Sequence, residues 1–160
     1  MKVYHLKRTQ FLPITLDEAW QFFSDPRNLK EITPPHMKFR ILYMSGGDHM
    51  FPGQLIRYYV HVLAGIRVHW VTEITHVQQP VRFIDEQRFG PYALWHHAHF
   101  FREVDGGIEM TDEVNYAIPL GFIGQFANWL FVEKQVNAIF DYRFNVLEKR
   151  FGTHKIKTFV

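Results

Sequence analysis

The sequence predicts an α+β domain in which a curved, seven-stranded antiparallel sheet closes around one long C-terminal helix. Three observations predict it. From about residue 39 to 117 apolar residues recur with a period of two, interrupted at Gly46-Gly47, Pro52-Gly53, Ala64-Gly65, Pro80, Gly90-Pro91 and Gly106-Gly107. After Pro119 the period lengthens to three and four through Phe122, Phe126, Trp129, Leu130, Val136, Ile139, Phe140, Phe144 and Leu147, the spacing of an amphipathic helix. The chain has 160 residues, 47% hydrophobic and 17% aromatic, enough for one core, and no repeat or linker divides it. A single domain over 1–152 with a tail at 153–160 is expected.

Each element has its own signal. Val3 to Phe11 reads as the first strand. Thr15 and Glu18 have capping-box spacing ahead of a short helix whose apolar side is Ala19, Trp20, Phe22 and Phe23. Ser24-Asp25-Pro26 supplies a cap and a first-turn proline for a second short helix to about Ile32, which Thr33-Pro34-Pro35 ends. Strands follow near 39–44, 54–62, 67–76, 82–89, 95–104 and 107–117, joined as hairpins, and Gly152 stops the long helix. The sheet needs cover on one face, and only that helix is long enough to give it.

Composition removes several function classes. With no cysteine, the chain has no disulfide, no cysteine nucleophile and no thiolate metal site, and a reducing compartment, the cytoplasm, is expected. Lys+Arg 18 against Asp+Glu 16 gives a net charge of +2 without a basic block, so nucleic acid is not an expected partner. Met1 to Leu12 lacks the continuous apolar stretch of a signal peptide. Val114 to Val132 is uncharged, but Asn115, Pro119, Gln125, Asn128 and two glycines argue against a membrane span. Ser24 and Ser45 are the only serines and neither sits in a nucleophile elbow; no phosphate-binding Gly-Lys-Ser/Thr loop or dinucleotide fingerprint occurs.

The informative residues are polar ones on the wrong face. Strand alternation puts Tyr58, Trp70, Phe83, Trp95 and Tyr116 inward, and with them Asp85, Gln87, His97, His99 and Asp112. The opposite set, including Arg57, Glu73, Arg88, His96, Arg102 and Glu113, suits solvent. An unpaired buried polar group costs on the order of 1 to 3 kcal/mol, so the inward five must be paired or wet. One outcome is a closed network of Asp85 and Asp112 with the two histidines. The other is an aromatic-lined cavity whose polar groups orient a ligand. Within it, His97-x-His99 with Asp112 has the composition of a two-histidine, one-carboxylate metal site, and the same groups suit acid–base catalysis. No metal and no other cofactor is expected, because pairing with the aspartates accounts for the histidines.

Leu29, Thr33-Pro34-Pro35, Asp85-x-Gln87-x-x-Gly90-Pro91-Tyr92, Trp95-x-His97-x-His99-x-Phe101, Asp112-x-Val114-x-Tyr116 and Pro119-x-Gly121 together resemble the START/SRPBCC superfamily of helix-grip proteins, which includes the polyketide cyclase/dehydrase-like proteins. The likeness runs from about Val3 to Phe151, and is nearest to an uncharacterised bacterial branch. It implies a deep cavity between sheet and helix of the kind that takes lipids, sterols or polyketides in other branches, and it carries over no catalytic residues. The expected function is binding of a small hydrophobic or amphipathic molecule, with Tyr58, Trp70, Phe83, Trp95 and Tyr116 as walls and Asp85, Gln87, His97, His99 and Asp112 orienting it. A cyclase, dehydratase or hydrolase using His/Asp acid–base chemistry is the alternative, and a protein-interaction module is a third.

Overall fold

The strands are β1 (Tyr4–Leu12), β2 (Arg40–Met44), β3 (Gln54–His61), β4 (Arg67–Gln78), β5 (Arg82–Phe89), β6 (Leu94–Val104) and β7 (Gly107–Ala117). They form one antiparallel sheet in the order β1-β7-β6-β5-β4-β3-β2. This computed structural model describes residues 1–47, 49–62 and 65–153. Ala64 of the Ala64-Gly65 break and all of the expected tail but Thr153 lie outside the described residues. The sheet is the expected seven-stranded one, with strand limits within two residues of those read from alternation.

β1 and β2 are consecutive strands at opposite edges of the sheet, so the chain between them must cross its whole width. It does so through α1 (Leu16–Phe23), capped as the sequence predicts: the Glu18 amide donates to the Thr15 hydroxyl at 3.2 Å and the Thr15 amide to the Glu18 carboxylate at 2.8 Å. The expected second helix is a 3₁₀ turn, Pro26–Lys30, followed by another at Pro35–Met37. Asp25 caps the first turn as foreseen, but Thr33-Pro34-Pro35 follows too soon for an α-helix to propagate. Register shifts between Val71 and Thr72 and between Ile74 and His76 interrupt the β4–β5 ladder, a device that bends a strand and curves a sheet.

The C-terminal helix is continuous but not uniform: α2 (Gly121–Ala127), a π-helical turn (Asn128–Val132) and α3 (Glu133–Phe151). The buried stripe is Gly124, Asn128, Val136, Phe140, Arg143 and Leu147. The expected stripe through Phe122, Phe126, Trp129 and Leu130 is exposed, as is Phe144, which corrects the sequence expectation. Gly124 shows why. A Cβ there would stand 1.9 Å from the Pro119 carbonyl oxygen, so the close approach to the preceding chain is one only glycine allows. The π turn then adds a residue to the helical phase, so the apolar residues before it do not continue the stripe after it.

Among the described residues, three clusters of buried side chains make the core. One packs Trp20, Phe22 and Phe23 of α1 against Phe83, Phe101, Ile108 and Leu147. A second gathers Phe39, Ile56, Tyr58, Val60, Trp70 and Ile74, and a third joins Leu6, Val114 and Tyr116 to Val136 and Phe140 of α3. Among the described residues no helix is long and apolar enough to cross a membrane.

Candidate functional site

Four polar side chains on three consecutive strands meet in a lattice set by register. Asp85 on β5 lies opposite His97 on β6, and His99 lies opposite Asp112 on β7. Each aspartate nevertheless makes its hydrogen bond to the histidine diagonally across from it. His99 Nε2–H donates to Asp85 Oδ2 at 3.0 Å, and His97 Nε2–H donates to Asp112 Oδ1 at 3.0 Å. The directly opposed pairs are close ionic contacts rather than hydrogen bonds, with His97 Nδ1 3.5 Å from Asp85 Oδ2 and His99 Nδ1 2.9 Å from Asp112 Oδ1. The imidazoles are tilted 39° to each other with centroids 3.8 Å apart; His99 stacks on Phe83 and His97 meets Phe140 edge-on.

A fifth residue closes the cluster from above. Arg143 of α3 places one guanidinium nitrogen 3.3 Å from both Asp112 oxygens and lies against Phe23 and Phe140. It is 7% exposed, a charge that survives burial only because a carboxylate faces it. Arg143 is not among the residues singled out from the sequence. The available signal was position: Val136, Phe140, Arg143 and Leu147 share one helical face, and Arg143 is the charged member of an apolar stripe.

Burial and pairing set the protonation states. Burial alone would raise the carboxyl of Asp112, but the Arg143 charge, the hydrogen bond from His97 and the close His99 ring outweigh it and hold it well below the ordinary carboxylate range. Asp85 is also held down, against burial, by the hydrogen bond from His99. Burial and the neighbouring His99 push His97 down, so its ring stays neutral. His99 moves up, because its two carboxylates overcome the cost of burial. With both aspartates ionised and Arg143 charged, the cluster lacks one positive charge unless an imidazole takes a proton.

Asp85, His97, His99 and Arg143 line a cavity of about 170 Å³ between sheet and helix, together with Phe23 and Phe83. Tyr58, Trp70, Tyr92 and Trp95 supply its aromatic lining. Trp70 stands edge-on to Trp95 at 5.4 Å, and Tyr92 approaches Trp95 to 4.8 Å. The 3₁₀ turns contribute Leu29 and Met37 to the lining.

Of the ten residues singled out from the sequence, Tyr58, Trp70, Phe83, Asp85, Trp95, His97 and His99 line the cavity. Asp112 lies behind the imidazoles, 6% exposed, and Tyr116 lies behind Tyr92, their rings 5.8 Å apart. Gln87 turns away from the cavity. Its amide donates to the Tyr92 carbonyl at 2.7 Å and its carbonyl accepts from the Tyr92 amide at 3.2 Å, closing the Gly90-Pro91-Tyr92 turn. A Cβ on Gly90 would meet the Gln87 side chain at 2.3 Å, so glycine makes room for that bond pair. Gln87 acts on the cavity through Tyr92, a wall residue the alternation rule missed because it sits in a turn.

No family model and no curated protein matches this sequence. Solved structures match it in shape. Protein Ms6760 from Mycobacterium smegmatis is 20% identical with a TM-score of 0.63, over 94% of this chain and 98% of its own. TTHA0849 from Thermus thermophilus is 15% identical with a TM-score of 0.67, over 92% and 97%. Ara h 8.0201 is 14% identical with a TM-score of 0.58, over 92% and 99%. At such identities the likeness shows the fold alone, and that fold is helix-grip.

Proposed function

We propose that the chain is a ligand-binding protein of the SRPBCC superfamily, acting in the cytoplasm, and that its ligand is a small amphipathic molecule carrying an aromatic or compact apolar ring. The single observation that carries this reading is a cavity whose lining combines four ionisable side chains with a wall of aromatic rings. A ring set among Trp70, Tyr92 and Trp95 directs any polar substituent toward Asp85, His97, His99 and Arg143. Size narrows the class. A dry cavity on the order of 150 Å³ takes one benzene ring, so a cavity of about 170 Å³ suits a one- or two-ring molecule better than the sterols and lipids of other branches.

The test is to denature the purified protein and identify any released molecule by mass spectrometry, then to titrate the ligand-free protein with it, or with a panel of one- and two-ring aromatics bearing polar groups, following tryptophan fluorescence. Saturable quenching that weakens at least tenfold in Trp95→Ala, and in Asp85→Asn, is expected. Absence of both a released molecule and saturable quenching by any panel member ends this reading. One observation favours a second role in the same cavity. Asp112 accepts from the far nitrogen of a neutral His97 that lines the cavity, the arrangement of an oriented general base. Turnover of the bound molecule, lost in His97→Gln with binding retained, distinguishes an enzyme from a carrier.

A further inference from the structure

We propose that Asp85, His97 and His99 are the ligands of a divalent transition-metal ion at the cavity wall, with Asp112 orienting both imidazoles from behind. The site stands on geometry independent of any organic ligand. The far nitrogens, His97 Nε2 and His99 Nδ1, both face one atom, Asp112 Oδ1, at 3.0 and 2.9 Å. The near nitrogens, His97 Nδ1 and His99 Nε2, both face Asp85 Oδ2, at 3.5 and 3.0 Å. Two rings therefore turn one nitrogen each to a rear carboxylate and one each to a front carboxylate. Metal-bound histidines have their free N–H fixed by an outer carboxylate and the other nitrogen left for the ion; His97 is already held in this way, and His99 reaches it when its proton moves from Nε2 to Nδ1, 2.9 Å from Asp112 Oδ1.

The spacing suits an ion. One donor atom from each of Asp85, His97 and His99 lies within 4.8 Å of the others. A tetrahedral ion with bonds of roughly 2.0 to 2.1 Å holds its ligand atoms roughly 3.4 Å apart, so the Asp85 separations need change by only a few tenths of an ångström, and the two imidazole nitrogens, within 4.8 Å of each other, must close by up to about 1.4 Å. Asp112, the carboxylate whose sequence position suggests a third ligand, has Oδ1 engaged by both rings and both oxygens by Arg143, which makes it the support rather than the ligand. Pairing with aspartates, the reason for expecting no metal, uses His97 Nε2–H at Asp112 and His99 Nε2–H at Asp85; it leaves His97 Nδ1 facing Asp85 and His99 Nδ1 beside Asp112 without a hydrogen bond, ready to take the proton that an ion at Nε2 would displace.

Charge points the same way. With neutral imidazoles the cluster has two carboxylates against one guanidinium. A divalent ion at His99 Nε2 requires the proton which that nitrogen shares with Asp85 Oδ2 to move to His99 Nδ1, 2.9 Å from Asp112 Oδ1, so the imidazole stays neutral and the ion's two charges turn the deficit of one positive charge into an excess of one. The remaining coordination position opens toward the cavity, since all three ligands line it, and suits hydroxide or an anionic group of a bound molecule.

The experiment dialyses metal-stripped protein against Zn²⁺ and, separately, Co²⁺. One equivalent is expected, with the visible absorption of four-coordinate Co²⁺. Uptake disappears in Asp85→Asn and His97→Gln, persists in His96→Gln, which lies on the opposite face of β6, and in Asp112→Asn weakens about 10- to 100-fold. Because a cluster variant can fail to fold, the imidazole NMR resonances of the unaltered chain are followed as well: Zn²⁺ should shift those of His97 and His99 and not that of His96. Failure to take up one equivalent, uptake surviving in both ligand variants, or shifts confined to other histidines overturns the proposal. None of these readouts requires the small molecule, so the metal site and the ligand-binding reading fail separately.

Discussion

Two regions of this molecule depart from the usual distribution of polarity, and they do so in opposite directions. Across β5, β6 and β7 two aspartates and two histidines are gathered inside, joined by an arginine of α3. Along α2 and the π turn, Leu120, Phe122, Ile123, Phe126 and Trp129 stand outside, Phe122 at 81% exposure and Trp129 at 68%. The buried charges are tolerated because each meets an opposite charge or a hydrogen-bond partner, and the exposed rings stay out because Gly124 and Asn128 take the side of the helix that faces the sheet. Position in the backbone lattice, more than residue type, decides burial in both regions. In the sheet that lattice is over-determined by six strand pairings; at the start of the helix it depends on one glycine contact and one π turn.

The buried charges are most vulnerable at Arg143. In metal-free protein, Arg143→Met keeps most of the volume but leaves Asp112 as a buried charge without its cation, and the loss of stability should be about 3 to 5 kcal/mol. Adding Asp112→Asn to the same chain should recover part of that loss, because the two changes remove one interaction. Denaturant midpoints measure both. A loss under about 1 kcal/mol for Arg143→Met would show that water reaches Asp112 and that the interior is not the closed charge lattice described.

Within the cluster the two carboxylates should differ. Asp112 is enclosed, whereas the Asp85 side chain keeps 18% of its exposure at the cavity wall. Asp112→Asn should therefore cost about 3 kcal/mol, since Arg143 loses its buried partner. Asp85→Asn should cost about 1 kcal/mol, because water in the cavity can replace the lost acceptor. Equal losses in metal-free protein would mean that the front and rear carboxylates do not differ in solvent access.

Much of this was legible in the sequence because the sheet has a period of two. Once Trp95 faces inward, His97 and His99 must also, and His96 must not, so the polar cluster followed from alternation without any contact information. The same rule could not tell which aspartate stands in front of the imidazoles and which behind, as that depends on diagonal bonds across three strands. It placed Gln87 inward but not its bonds to Tyr92, which need the turn geometry. Arg143 was out of reach for a different reason: the link between α3 and β7 spans 31 positions along the chain and no local pattern records it. The helix was found and its first face misassigned, since a hydrophobic period gives the existence of a stripe but not the phase shift that a π turn introduces.

The smallest expected effect concerns the exposed rings. Phe122→Ser combined with Phe126→Ser removes two rings that are 81% and 61% exposed and that the fold barely uses. Full burial of such a side chain is worth roughly 1.5 to 3 kcal/mol, and surface changes away from caps and special backbone are usually within about 0.5 kcal/mol. The double variant should accordingly unfold within about 0.5 kcal/mol of the unaltered chain, with unchanged metal uptake and cavity binding. A loss of about 2 kcal/mol or more, independent of protein concentration, would place these rings against the body of the domain and restore the helical stripe that the sequence period suggests. A loss that appears only as the protein is concentrated would instead mean that the rings are buried between copies of the chain, because only an associating fold has a midpoint that depends on concentration.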